Sequence, residues 1–376
     1  MTIKSLLLGS AAALAVVSGA QAADAIVAAE PEAVEYVRVC DAYGTGYFYI
    51  PGTETCLKIE GLVRFQVDFG AGDLFDNGGE EDWSALTRGQ VQFTAKSDTE
   101  YGPLTGVIVY QANYRGGSVL DNTGTVVGAA STTFNLDTAY IDIAGLRVGK
   151  LFNWWDDDFS GEFDQTNSGF TSFNSIRYQY ESGDFYAGIA VEELGGSDAV
   201  YDADVGGGVI LTGIPIEEHG NNVGVDAAIG GTVGGFGYQI IGGYDFDAED
   251  GAIRARITAD LGPGTFGLAG IWSSGPSNYY LNGEWAIAAQ YAIKATDKFT
   301  ITPGVQYTAN VSVDADADGS NASWDNGHEW RAGVTLDYQI VDNLSAKVAA
   351  TYISRDSDTG FDGDGVQGFF RLQRAF

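Results

Sequence analysis

Leu57-Lys-Ile-Glu-Gly-Leu-Val-Arg-Phe-Gln-Val-Asp-Phe69 changes character at nearly every step. In an extended chain Leu57, Ile59, Val63, Phe65, Val67 and Phe69 share one face. Lys58, Glu60, Arg64, Gln66 and Asp68 share the other, with Leu62 the exception. A period of two indicates a β-strand. A face carrying full charges opposite a face of aliphatic and aromatic groups indicates a strand between water and an apolar medium.

Outward from this stretch the pattern repeats. Val91, Phe93 and Ala95 oppose Arg88, Gln90, Gln92, Thr94 and Lys96. Ile108, Tyr110, Ala112 and Tyr114 oppose Gln111, Asn113 and Arg115. Ile253, Ala255 and Ile257 oppose Arg254, Arg256 and Thr258, and Trp330, Ala332 and Val334 oppose Arg331 and Thr335. The periodicity predicts about 16 strands of roughly 8–12 residues, the length a tilted membrane strand needs. Short connectors at Ala144-Gly145, Ser182–Asp184, Gly230–Gly235, Gly262–Gly264 and Val341–Asn343 alternate with mostly long, acidic or Gly-rich ones. The prediction is an all-β transmembrane antiparallel β-barrel with short periplasmic turns and long outer loops. A soluble sandwich needs fewer strands and an apolar interior, and a calcium β-roll needs a nonapeptide repeat that this chain lacks.

The first 22 residues read as a cleaved signal peptide: Lys4, an apolar run from Leu6 to Val17, then Ala20-Gln21-Ala22. Residues 23–376 then form a single barrel domain in the outer membrane. The formal net charge of −32 excludes a nucleic-acid partner, since phosphate binding needs clustered Lys and Arg. Two histidines and two cysteines leave little for a zinc, haem or iron–sulfur site, so no cofactor is expected. No nucleophile, metalloprotease or phosphate-loop motif occurs, and no enzymatic activity is expected. Cys40 and Cys56 are exported with the chain. Either they form a disulfide tying the N-terminal segment to the first strand, or they are two buried thiols. Asp314, Asp316, Asp318 and Asp325 carry the spacing of a calcium loop, but no helices flank them and an Asp takes the place of the usual Glu. A solvated face, or divalent bridges to lipopolysaccharide, is the preferred reading.

The segment Tyr36-Val-Arg-Val-Cys40-Asp-Ala-Tyr-Gly-Thr-Gly-Tyr-Phe-Tyr-Ile-Pro-Gly-Thr-Glu-Thr-Cys56-Leu-Lys-Ile-Glu-Gly61 closely resembles the start of alphaproteobacterial porins of the Rhizobiales type. Ala139-Tyr-Ile-Asp-Ile-Ala-Gly-Leu-Arg-Val-Gly-Lys150 and the terminal Phe376 are similar to that family as well. The resemblance implies a 16-stranded barrel, a homotrimer, and passive diffusion of small hydrophilic solutes and ions across the outer membrane. It also implies that the third long loop, 152–175, folds into the lumen. Asp156, Asp157, Asp158, Glu162 and Asp164 are its candidate water-facing acids, with Trp154, Trp155, Phe159 and Phe163 packing it on the wall. Lys58, Arg64, Arg88, Lys96 and Arg115 lie on polar strand faces and are the candidate basic wall opposite. Acids facing bases would set up a transverse field favouring polar solutes. The acidic total suggests weak cation preference. The alternative reading is a substrate-selective porin or a surface receptor barrel, recognised by saturable block.

Overall fold

The computed structural model describes residues 38–75, 83–116, 119–120, 126–128, 130–167, 170–194, 222–314, 322–357 and 362–376. The signal-peptide assignment to residues 1–22, together with Asp316 and Asp318, lies outside the described residues. Sixteen strands form the barrel wall. They are β1 (Cys56–Gly72), β2 (Trp83–Thr99), β3 (Gly102–Arg115), β4 (Ser131–Ile143), β5 (Leu146–Phe152), β6 (Ser172–Ser182), β7 (Phe185–Leu194) and β8 (Asn222–Val233). The second half comprises β9 (Phe236–Asp245), β10 (Asp250–Leu261), β11 (Gly264–Ser273), β12 (Trp285–Thr296), β13 (Phe299–Ala309), β14 (His328–Val341), β15 (Leu344–Asp356) and β16 (Gly363–Ala375). Each strand pairs antiparallel with its neighbour in sequence, and β16 returns to β1 from Leu62↔Ala375 to Gly72↔Gly365. That last pairing closes the sheet and leaves no edge.

The short connectors fall where the alternation breaks. Ala144-Gly145 and Gly234-Gly235 both place two consecutive residues at positive φ, the two-residue turn whose twist matches antiparallel strands. Strand lengths run from seven residues in β5 to 17 in β1 and β2, a wider range than the periodicity suggests. β5 is short because the chain leaves the wall at Asn153.

The apolar faces point outward. Phe65, Ile253 and Trp330 are all exposed on the isolated chain, which is the surface a lipid bilayer would cover. Trp272 and Trp285 are cross-strand partners, and Trp285, Tyr307 and Trp330 continue the row, with ring centroids 5.3 and 4.6 Å apart. Such a belt at one end of the strands suits a membrane–water boundary. Across β2 and β3 two outward pairs are small, Gly89 with Ala112 and Ala95 with Gly106, and they flank the larger pairs Val91 with Tyr110 and Phe93 with Ile108. A Cβ at Gly89 or Gly106 would meet nothing within 4 Å.

The inner face is not polar throughout, which departs from the uniform wet lining expected. Under β7 to β12 it presents Ala190, Ala228, Ile241, Ala269, Ile271, Ala286 and Ala288, all buried. The cause is an inserted loop that covers this half of the wall and turns it into a protein core.

At the start of β1 a disulfide joins Cys40 to Cys56, with Cα atoms 6.0 Å apart and both residues buried with Tyr47. Closing a loop of this size removes roughly 3 kcal/mol of unfolded-chain entropy. In unfolded protein we expect no thiol labelling until reductant is added, and two labels afterwards. Labelling without reductant would show that the cysteines are free.

Candidate functional site

The inserted segment begins where Asn153 ends β5. Its Oδ1 accepts from the Trp155 backbone amide at 3.1 Å and caps a single 3-10 turn, Trp154–Asp156. Its own amide donates to the Thr171 carbonyl at 2.7 Å, so the outgoing and returning limbs are pinned together at the root. From there the loop follows the inner wall from β7 round to β14.

Four aromatic rings dock it, and three of them sit where the wall lacks a side chain. A Cβ at Gly188 would lie 2.5 Å from the Trp154 ring, and one at Gly267 2.7 Å from Phe159. Cβ atoms at Gly304 and Gly333 would lie 2.0 and 2.7 Å from Phe163. Trp155 is fully buried. The wall also supplies hydrogen bonds to the loop backbone. Gln290 accepts from Gly161 N at 2.9 Å, Thr335 from Glu162 N at 2.9 Å and Gln306 from Gln165 N at 2.7 Å. Arg254 donates to the carbonyls of Trp154, Trp155, Asp157 and Thr166, and Arg256 to those of Asp157 and Asp158. Arg177 donates to the Phe152 carbonyl at 2.6 Å and lies over the Trp154 ring at 4.1 Å. Burying an arginine is tolerable here because loop carbonyls replace its water.

The five loop acids have different surroundings. Asp156 accepts from the Thr171 hydroxyl at 2.6 Å, on the loop's own return limb. Asp157 pairs with Arg256 and accepts from Gln239, so its charge is matched at the wall. Asp164 is partly buried and accepts from Thr166 at 2.6 Å. Asp158 and Glu162 are exposed. Asp158 accepts from Asn167 at 3.1 Å. It touches water at one edge, but crowding by loop and wall desolvates it. That desolvation, reinforced by the neighbouring Asp164 and Glu162 carboxylates, pushes its pKa up to about 7. Glu162 reaches furthest and meets Lys347 on β15 at 2.8 Å and Arg371 on β16 at 3.3 Å.

These last two bases extend a band. Lys347 is the cross-strand partner of Arg371, Arg371 of Gln66, and Arg64 of Arg88. Arg371 donates to Gln66 at 2.6 Å, Arg64 to Gln373 at 2.9 Å and Arg88 to Asn113 at 2.8 Å, which holds each guanidinium against the wall. Arg115 pairs with Asp68 at 3.1 Å nearer the outer end of β1. Lys58 and Lys96 stand apart from the band. Lys58 is six residues from Arg64 on the same strand, about 20 Å at the rise of an extended chain. It pairs with Glu60 at 2.7 Å, and both lysines lie beside the tyrosines of the disulfide-tied segment.

Lys347 and Arg371 were absent from the sequence reading, although each occupies a polar slot in an alternating strand: Lys347 before Val348, Arg371 between Phe370 and Leu372. Arg254 and Arg256 were read as lumen-facing but not as anchors of the loop. Among the described residues no group of three or more His, Cys, Asp or Glu could hold a metal ion.

Residues 24–368 match the family described as "Porin subfamily". The chain is 54% identical over 368 residues to outer membrane protein IIIA of Rhizobium leguminosarum bv. viciae, covering 96% of this chain and 93% of that protein. It is 35% identical over 348 residues to porin Omp2a of Brucella ovis, covering 82% and 99%. Among solved structures it is similar to in-vitro folded OmpT, an outer membrane protein of Vibrio cholerae, in its trimer form. The TM-score is 0.56 at 11% identity, covering 86% of this chain and 100% of that one.

Proposed function

The chain belongs to the porin subfamily and is an outer-membrane channel rather than an enzyme, and on that premise we propose that it is a general-diffusion porin, weakly cation-preferring and trimeric. The observation that carries this reading is the meeting of Glu162, where the loop is docked on β14, with Lys347 and Arg371 on the adjoining strands β15 and β16. An acidic loop tip facing a basic wall makes a constriction with a transverse field. Such a field orients water, so a polar solute exchanges one set of dipoles for another while an apolar solute must disrupt the ordered water. No steps of chemistry are needed: the loop limits size and the two charge bands sort by polarity. The cation preference is weak because bases nearly balance acids at the constriction. The excess of acids behind the −32 net charge raises cation concentration at the channel mouths. The small outward pairs, Gly89 with Ala112 and Ala95 with Gly106, lie on either side of the larger Val91, Phe93, Ile108 and Tyr110 and leave room for close barrel-to-barrel contact, which supports the trimer. Acids of the outer loops would take divalent bridges to lipopolysaccharide, and residues 1–22 would be removed on export.

Planar-bilayer recording with a salt gradient tests this. The expected result is conductance in groups of three steps, no saturable block by sugars, and a small cation-favouring reversal potential. Glu162→Gln should move that potential toward anions. Wild-type selectivity should also decline as pH falls through about 7, because Asp158 then takes up a proton and loses its charge. An anion-favouring wild-type potential would overturn the cation preference, and saturable block would favour a substrate-selective porin.

A further inference from the structure

The connector between β11 and β12, Ser274–Glu284, reads in sequence as an ordinary outer loop of Gly, Pro, Ser and Asn around a Tyr pair. It does not lie outside. Tyr279 and Tyr280 have no exposed surface at all. The Tyr279 ring occupies the place a side chain would take at Gly243, where a Cβ would fall 2.3 Å from it. Its hydroxyl donates to Glu192 at 3.0 Å, and its ring centroid is 6.3 Å from that of Trp155. The connector is held to the wall as well: Asn278 donates its backbone and side-chain amides to Asp245 at 3.1 and 2.8 Å, and Asn222 donates to the same carboxylate at 2.7 Å.

Two of its side chains, Tyr280 and Asn282, point at the return limb of the constriction loop. The Tyr280 hydroxyl donates to the Gln165 carbonyl at 3.2 Å. Asn282 Nδ2 donates to the carbonyls of Gln165 and Asn167 at 3.4 and 3.0 Å. Arg254 takes only the Thr166 carbonyl between them, from the wall side. The return limb is therefore gripped from two directions, and one of the two grips is another loop.

We propose that 274–284 is a latch: a second inward-folded loop that fixes the aperture by holding the return limb, with Tyr280 and Asn282 as positioning residues. This rests on the reading of the 152–171 segment as the constriction. The wall contacts set where the outgoing limb and tip lie and hold the return limb from the wall side only, through Gln306 and Arg254. The latch sets how far the return limb can swing into the channel. Without it the Gln165 and Asn167 carbonyls can be hydrated by lumen water, so the docked and swung positions come closer in free energy. The channel then spends more time partly closed, while the strand ladder is untouched.

The test is single-channel recording of the full chain carrying Tyr280→Phe and Asn282→Ala, with Glu162→Gln recorded alongside. Heat-modifiable gel mobility checks that the barrel has formed. Tyr280→Phe alone, which keeps the ring in place, serves if the double variant does not fold. The expected result is at least about a tenfold rise in time spent in reduced-conductance states, roughly the loss of one net hydrogen bond. The fully open reversal potential should stay at the wild-type value, since no lumen charge has changed. Wild-type closure statistics and conductance in the latch variants would overturn the latch, whatever Glu162→Gln does. An unshifted reversal potential in Glu162→Gln would overturn the constriction reading itself.

Discussion

Arg254→Met is expected to leave the barrel folded and to free the inserted loop proposed as the constriction, so that sugars excluded by the wild-type channel enter. Arg254 is 1% exposed, and its guanidinium serves four loop carbonyls, with distances to Trp155, Thr166 and Trp154 of 3.3, 2.8 and 3.1 Å, together with Asp157. It also donates to Gln239 Oε1 at 3.2 Å. Hydrogen bonds from a charged donor contribute more than neutral ones, and breaking a buried charged network by losing one member costs ~3–5 kcal/mol. Methionine keeps much of the bulk, so the loss falls mainly on the polar contacts. None of those carbonyls belongs to the strand ladder, so the cost is charged to loop placement and not to the barrel. Liposome swelling with sugars of graded size reads the result directly. An unchanged exclusion limit would show that the aromatic sockets alone hold the loop.

Gly304→Leu attacks those sockets. Any side chain there collides with Phe163, whose Cε1 atom lies 2.0 Å from the position a Cβ would take. Phe163 is 1% exposed, and removing a buried phenylalanine from its packing costs ~3–5 kcal/mol. Evicting it should lift the neighbouring Glu162 away from Lys347 and Arg371. The expected outcome is higher conductance together with a shifted reversal potential. Combining Gly304→Leu with Phe163→Ala separates collision from general damage to β13. If the ring is the point of conflict, the double variant shows much less than the sum of the two single effects. Full additivity would place the harm in the strand.

The strands and turns were legible because their signals are local, whereas the inward course of the loop and its aromatic anchors came from the family resemblance. Alternation tells which side of the wall a residue faces, and a Gly pair marks a turn. Height along the barrel is a different quantity. Lys58 and Arg64 share a face of β1, yet only Arg64 joins the basic band. Lys347 and Arg371 lie far from the loop in sequence and join Glu162 only through closure of the barrel. The glycine sockets were hidden for another reason. A glycine in a strand lowers strand propensity and reads as a defect, whereas at Gly188, Gly267, Gly304 and Gly333 the missing side chain makes room for a ring. Tyr279 and Tyr280 were missed because nothing in a run of turn formers distinguishes a loop that folds back from one that extends.

The seam between β1 and β16 joins residues as far apart as Arg64 and Gln373, a separation of 309. Bringing such distant ends together carries an entropic cost of about 5 kcal/mol that no local contact offsets. It must also wait, because β1 is synthesised first and its partner last. Until the final strand arrives, Val63, Phe65, Val67 and Phe69 form an unpaired hydrophobic edge in water, the kind of template on which chains aggregate. A product lacking β16 is a chain that can never shut, whatever the quality of its other fifteen strands.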